Sequence, residues 1–135
     1  MRAVRFAVTT GFSIDPATWQ AMCDAAPSLG EISIERIREE FSRILLHPDR
    51  VRGLDLLDSS GMLSHILPPM AALKGCTQPP QFHPEGDVWV HTRLMLSLLP
   101  EVVSQPLVLS VLLHDIAKPA TQTRDEDTGR IRFNG

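Results

Sequence analysis

The stretch that decides the fold is residues 33–46, which read SIERIREEFSRILL. Ser33 is a residue type that caps the N-termini of helices, and apolar side chains then recur at helical spacing. His47-Pro48 follows at once, and proline ends a helix because it lacks a backbone N–H. The segment therefore predicts an amphipathic helix whose apolar face packs against a core. The residues of that face are Ile34, Ile37, Phe41, Ile44 and Leu45.

The same kinds of signal divide most of the chain into helices. A helix over residues 1–10 ends at Gly11, which accepts a positive φ without steric cost. Asp15 followed by Pro16 is typical of a cap and a first-turn proline, and starts a helix that reaches about Ala26. Further helices are predicted from Asp49 to Gly61, from Asp87 to Leu99 and from Pro106 to Lys118, with a short apolar segment up to Leu67 before Pro68-Pro69.

The last residues follow a different pattern. Residues 121–124 and 130–133 alternate in polarity and flank an Asp- and Gly-rich stretch at 125–129. Such alternation around a turn predicts a small β-hairpin. We therefore expect an all-α fold with a small C-terminal β-hairpin.

Composition narrows the class of protein. With 135 residues, of which 43% are hydrophobic, the chain can bury a real core. No window approaches the roughly 18 uninterrupted apolar residues of a membrane span, and no secretory signal follows Met1. Two cysteines at unrelated spacing predict reduced thiols, and thus a cytoplasmic protein without a membrane partner. A net charge of −3 predicts that any contact with RNA is local rather than spread over a basic surface.

The chemistry points to three side chains. His114 and Asp115 follow the apolar run 108–113, and His91 lies in an earlier apolar stretch. On a helix, adjacent side chains diverge by about 100°. One cation could be shared by His114 and Asp115 if another helix closes the site with His91. Imidazole and carboxylate suit a divalent transition metal or Mg²⁺, whereas the plainer alternative is a helix cap or a surface ion pair.

Several strings carry a family resemblance. They are RAVRF at 2–6, GFSID at 11–15, ISIERIREE at 32–40, FHPEGDVW at 82–89, DVWVHT at 87–92 and HDIAKP at 114–119. The last three resemble the opening half of an HD-type phosphohydrolase domain, in the branch found in bacterial tRNA nucleotidyltransferases and poly(A) polymerases. The first three resemble the neck and body helices of that same family.

The resemblance implies a division of the chain. Residues 1–70 are similar to a neck and body close to RNA and nucleotide, residues 71–86 to a linker loop, and residues 87–135 to a partial HD domain. The linker agrees with three prolines and two glycines in 75–87, where no periodicity is visible. We expect an internal piece of a longer enzyme, without the catalytic head that precedes the neck in the family.

The resemblance also implies a function. The parent enzyme would add CMP and AMP from CTP and ATP to the 3′ end of tRNA or another RNA, with Mg²⁺ held in its head. This portion would grip and support RNA and would be inactive in nucleotidyl transfer by itself. The candidate RNA or nucleotide contacts are Arg2, Arg5, Arg36 and Arg38, although the last two are equally typical of a solvated helix face.

Two alternatives stay open. One is a metal-dependent HD-type phosphohydrolase or phosphodiesterase, with His91, His114 and Asp115 as metal ligands and Lys118 near a bound phosphate. Lys118 could equally serve the dipole of its own helix end. The other alternative is a helical RNA-binding or scaffolding module without chemistry. The spacing of His47, His65 and His83 gives no reason to include them in the site.

Overall fold

The structure is a computed structural model that describes residues 1–79, 81, 83–126 and 128–133. In this part of the chain, helices dominate and one two-stranded antiparallel sheet follows them, which confirms the expected fold class. Phe82 of the FHPEGDVW string, Asp127 of the predicted turn and Asn134-Gly135 lie outside the described residues. The helices are α1 (Arg2–Thr10), α2 (Pro16–Ala25), a 3₁₀ helix (Ala26–Glu31), α3 (Ile34–Leu46), α4 (Arg50–Ser59), α5 (Met62–Ile66), α6 (Pro68–Ala71), α7 (Val88–Ser97), α8 (Gln105–Leu113) and α9 (Lys118–Thr121); the strands are β1 (Gln122–Arg124) and β2 (Ile131–Phe133).

Aspartates fix the starts of two helices as predicted. The Asp15 carboxylate accepts hydrogen bonds from the backbone N–H groups of Ala17 at 3.0 Å and Thr18 at 3.2 Å. Asp87 does the same at the start of α7, for the two backbone N–H groups that follow Val88. Each carboxylate satisfies donors that have no partner inside the helix. Ser33 occupies the N-cap position of α3 as predicted, but its side chain makes no cap hydrogen bond, so that part of the prediction was wrong.

The core of the N-terminal half is the crossing of α1, α3 and α4. Ile44 of α3 and Leu54 of α4 are fully buried, as is Val4 of α1. Gly53 lies where the helices approach most closely, since a Cβ built there would stand 2.3 Å from a methyl of Ile44. Ile34 was expected on the packed face but is 68% exposed, because α3 has only just begun there and its buried face starts at Ile37.

The two halves of the chain share this core. The buried cluster runs from Val4 to Leu112 and includes side chains of α7 and α8. Arg50 of α4 is 1% exposed and donates to the carbonyl oxygens of Leu96 and Leu99 at 3.4 Å each. It also donates to those of Leu45, Pro100 and Glu101. The division into residues 1–70, 71–86 and 87–135 stays a prediction, but the described halves are packed together.

Backbone hydrogen bonds pair residues 76–78 with residues 86–88. Thr77 and Asp87 form an isolated antiparallel bridge, and the backbone N–H of Val88 donates to the carbonyl of Cys76 at 3.0 Å. The backbone N–H of Gln78 donates to the carbonyl of Gly86 at 2.8 Å. This pairing brings the residues just before α7 back beside residues 76–78.

One short helix was not predicted, and one predicted boundary was wrong. The apolar segment ends before Pro68-Pro69 as predicted, since α5 stops at Ile66, but the two prolines also begin α6, because proline suits the first turn of a helix. The helix predicted over 106–118 stops at Leu113, and residues 114–117 form tight turns with hydrogen bonds from Ile116 to Leu113 and from Lys118 to Asp115. Nδ1 of His114 donates to the carbonyl of Val111, which the N–H of Asp115 would use in a continuing helix, and Pro119 lies in the first turn of α9.

None of the helices in the part of the chain that the structure describes has the length and hydropathy of a membrane span.

Candidate functional site

Three predicted ligands come together where α7 meets the end of α8. His91 is in the first turns of α7, His114 is the C-terminal cap of α8, and Asp115 follows in the turn. One ligand atom from each lies within 4.8 Å of the other two. The rings of His91 and His114 are 5.4 Å apart between centroids. The structure therefore assembles the set that the sequence suggested, with Asp115 carried by a turn instead of a continuous helix.

The hydrogen bonding of His114 defines its free nitrogen. Its Nδ1 lies 2.7 Å from the carbonyl oxygen of Val111. A carbonyl oxygen only accepts, so Nδ1 is the donor in this contact, and in the neutral ring the lone pair is on Nε2. This Nε2 lies 3.1 Å from Oδ2 of Asp115. A lone pair and a carboxylate oxygen repel each other at this distance, so a proton or a cation between the two atoms would stabilise the pair.

Lys118 is already engaged within this cluster. Its Nζ donates to Oδ2 of Asp115 at 2.7 Å and to Oε1 of Gln78 at 2.5 Å, and it lies 5.3 Å from the centroid of the Phe133 ring. Gln78 is buried, and its Nε2 has no hydrogen-bond partner among the described residues. A cation that binds Oδ2 of Asp115 would compete with the ammonium of Lys118 for that oxygen.

Two further side chains complete the cluster. Glu85 and His83 lie in the loop before α7, and Oε1 of Glu85 contacts Nδ1 of His91 directly. The same oxygen lies 3.4 Å from Nδ1 of His83, whose ring centroid is 4.9 Å from that of His91. The pKa of Glu85 is lowered, first by a hydrogen bond from its own backbone N–H and then by those from His91 and His83.

Sequence reasoning omitted Glu85 and set His83 aside. The available signal was the Glu-Gly-Asp string, since a left-handed glycine followed by a helix cap turns the preceding residue back toward the helix. Gly86 has φ 77° and Asp87 caps α7, which puts Glu85 beside the first turns of that helix.

This donor set fits a divalent cation. Two imidazole nitrogens and a carboxylate suit Zn²⁺ and other first-row transition metals. Two atoms that each lie about 2.1 Å from one ion are at most about 4.2 Å apart, so small rotations of the side chains would close the cluster around it. His114 and Asp115 retain 35% and 12% side-chain exposure, which leaves an approach from solvent.

The candidate RNA contacts lie on α1 and α3. Arg36 and Arg38 are exposed on α3, and Arg2 is exposed on α1. Arg2 and Arg36 line one cavity of about 220 Å³, which Arg38 does not line. Arg5 is 16% exposed and its Nε donates to Glu40 at 2.8 Å, so contact with a phosphate would require it to leave that ion pair.

A cleft of about 920 Å³ is separate from the histidine cluster. It lies between Pro79, Gln81 and the hairpin, with Arg130, Ile131 and Arg132 on its wall. It is not lined by His91, His114 or Asp115.

Comparison with known proteins gives the family. Residues 11–74 match the sequence profile described as a probable RNA- and SrmB-binding site of polymerase A. The A-adding tRNA nucleotidyltransferase of Deinococcus radiodurans is 37% identical over 99% of this chain and 32% of its own length. This chain belongs to the tRNA nucleotidyltransferase family. The profile includes Arg36 and Arg38, whereas the similarity to this relative extends over the histidine cluster as well.

Other relatives of the family differ in the nucleotides that their names specify. The CC-adding tRNA nucleotidyltransferase of Thermus thermophilus is 36% identical over all of this chain and 32% of its own length. The multifunctional CCA protein of Halorhodospira halophila is 35% identical over 90% of this chain and 31% of its own length. The chain thus spans about a third of the length of these curated relatives. No solved structure matched it.

Proposed function

We propose that this chain is the RNA-gripping and supporting part of an enzyme that adds nucleotides to the 3′ end of tRNA. The observation that carries the proposal is the match of residues 11–74 to an RNA-binding profile, within a similarity to tRNA nucleotidyltransferases that covers 99% of the chain. The arginines of α3 lie inside the matched region and are exposed, which leaves their guanidinium groups accessible to the phosphates of RNA.

The proposed substrates follow from the same family. The enzyme would take CMP and AMP from CTP and ATP, with Mg²⁺ bound by carboxylates elsewhere in the enzyme, and would act in the cytoplasm. Relatives named A-adding, CC-adding and CCA enzymes are about equally similar to this chain. We therefore propose one of these three additions without selecting among them. Among the described residues, two clusters offer three metal ligands each, and both contain His91. Neither cluster contains two carboxylates of the kind that would bind Mg²⁺ for nucleotidyl transfer.

Two assays of the purified chain test this proposal. Labelled tRNA should bind in a filter assay, and binding should weaken as salt rises because phosphate contacts release counterions. The chain alone should incorporate no labelled CMP or AMP into tRNA that lacks its 3′ end. Absent or salt-independent binding would contradict the RNA role, and nucleotide transfer by the chain alone would contradict the supporting role.

A second function is favoured by the geometry of the histidine cluster. We propose that His91, His114 and Asp115 hold a divalent transition metal or Mg²⁺ and that the site hydrolyses phosphomonoesters or cyclic phosphodiesters. The support is the placement of their ligand atoms within 4.8 Å of one another. A bound cation would supply an activated water, while the ammonium of Lys118 would face the phosphate oxygens from beside Asp115.

Metal analysis after dialysis tests the second function. The wild-type chain should retain more Zn²⁺ or Mn²⁺ than the variants His114→Ala and Asp115→Ala, while His47→Ala, which changes the C-terminal cap of α3 outside the cluster, should retain as much as wild type. Equal metal content in all four proteins would exclude the site.

A further inference from the structure

The loop before α7 contributes a carboxylate to the histidine cluster that the family resemblance did not assign. Glu85 is 14% exposed as a side chain, and its Oε1 contacts Nδ1 of His91. Resting on the proposed metal-dependent function, we propose that Glu85 is a positioning residue, which fixes the tautomer and orientation of His91 so that Nε2 is presented to the cation.

The argument begins with the direction of the hydrogen bond. Oε1 of Glu85 lies against Nδ1 of His91, and a carboxylate oxygen only accepts, so Nδ1 is the donor in this contact. In the neutral ring, the lone pair is then on Nε2. His114 reaches the same tautomer by donating from Nδ1 to the carbonyl of Val111. Both imidazoles are thereby prepared to bind one ion through Nε2.

A direct ligand role for Glu85 is less consistent with the contacts. If Glu85 and His83 bound a second ion together with Nδ1 of His91, that ring would bridge two cations through both nitrogens. By contrast, a metal-bound histidine commonly donates a hydrogen bond from its other ring nitrogen to a carboxylate. The geometry therefore favours Glu85 behind His91 instead of Glu85 on the metal.

The backbone holds Glu85 in this place. The N–H of Gly86 donates to the carbonyl of His83 at 2.9 Å, and the carbonyl of Gly86 accepts from Gln78 at 2.8 Å. Oδ2 of Asp87 accepts from the N–H of Gly75 at 2.6 Å while its other oxygen caps α7. Gly86 and Asp87, which follow Glu85, are thus both hydrogen-bonded to residues 75–78, and these bonds hold the loop that carries Glu85.

The tautomer of His91 is the first test. Long-range ¹H–¹⁵N spectra of the metal-free, histidine-labelled chain should show His91 protonated at Nδ1. Glu85→Ala should move it toward the Nε2-protonated form that free imidazole side chains prefer, whereas Glu85→Gln, which keeps an acceptor oxygen, should largely retain the wild-type form. If His91 of the wild-type chain is protonated at Nε2, the proposed role of Glu85 is overturned, whereas the proposed metal site is not tested by this result but by the metal analysis.

The affinity for Co²⁺, followed by visible absorption, is the second test. Glu85→Ala should bind Co²⁺ about 10- to 100-fold more weakly than wild type, with Glu85→Gln between the two. Glu31→Ala, at an exposed glutamate outside the cluster, and His83→Ala should bind as wild type does. Loss in His83→Ala equal to that in His114→Ala would make His83 a ligand and overturn the proposal. No binding by wild type would overturn the proposed metal centre itself, and the role of Glu85 with it.

Discussion

At the scale of single residues, Gly53 limits how closely the N-terminal helices approach. Its φ is ordinary for a helix, so the need for glycine is steric and arises from neighbouring side chains. The methyl of Ile44 would lie 2.3 Å and that of Val8 3.1 Å from an added Cβ. Both side chains are buried and packed, so neither has free space into which it could move.

We therefore expect Gly53→Ala to destabilise the chain. Alanine should gain about 1 kcal/mol of helix propensity, but overpacking of about 2–3 kcal/mol should exceed it, for a net loss of about 1–2 kcal/mol in the free energy of unfolding by urea. Gly30→Ala is the matched control, since nothing lies within 4 Å of its Cβ position. A Gly53→Ala protein as stable as wild type would refute this packing argument.

The two cysteines should differ in reactivity. Cys76 is 4% exposed, and burial, followed by the charge of Asp87, raises the pKa of its thiol. The thiolate is the reactive form, so Cys76 should react with a disulfide reagent about tenfold or more slowly than the partly exposed Cys23 at pH 8. The variant Cys23→Ser isolates the slow reaction. Equal rates at the two thiols in the native chain would contradict the burial of Cys76.

At the scale of helices and turns, Arg50 connects α4 to the end of α7. The last carbonyls of a helix have no partner inside it, and the buried guanidinium donates to that of Leu96 in the last turn of α7. It also donates to the carbonyls of Leu99 and Pro100, just beyond the helix. Burial lowers the pKa of Arg50, yet a guanidinium stays protonated at neutral pH. The positive charge also lies at the negative end of the α7 dipole.

Arg50→Met should cost about 3 kcal/mol in the free energy of unfolding, because it leaves buried carbonyl groups without donors. Urea denaturation followed by circular dichroism measures the loss. Arg43→Met changes an arginine that is 57% exposed on α3 and should shift stability by less than about 0.5 kcal/mol. A loss in Arg50→Met no larger than that of Arg43→Met would contradict a structural role for the buried guanidinium.

Elements with local signals could be predicted from the sequence, and the exceptions have physical causes. The caps at Asp15 and Asp87 depend on neighbouring residues alone, so the sequence predicted both. The helix over 106–118 was predicted too long because the apolar run gives no sign that the ring of His114 donates to the carbonyl of Val111, where a continuing helix would place the N–H of Asp115. The buried position of Arg50 could not be predicted, since its carbonyl partners lie up to 51 residues away.

At the scale of the whole molecule, the two proposed functions lie on different elements of one packed body. The arginines of α3 belong to the N-terminal helices, and the histidine cluster lies where α7, α8 and the preceding loop meet. His91, His114 and Asp115 could be selected from the sequence by residue type and family resemblance. Glu85 was missed, because the Glu-Gly-Asp string is only a local signal and the contact with His91 also depends on how the loop folds back onto residues 75–78.

The central claim is that the N-terminal helices grip tRNA through exposed arginines. The most direct measurement is the affinity for labelled tRNA, across several salt concentrations, of wild type, Arg36→Ala/Arg38→Ala and the control Arg130→Ala in the hairpin. The double variant should bind about tenfold or more weakly, with its salt dependence reduced by about 1–2 in slope, while the control stays close to wild type. Equal affinity and slope for the double variant and wild type would contradict the claim.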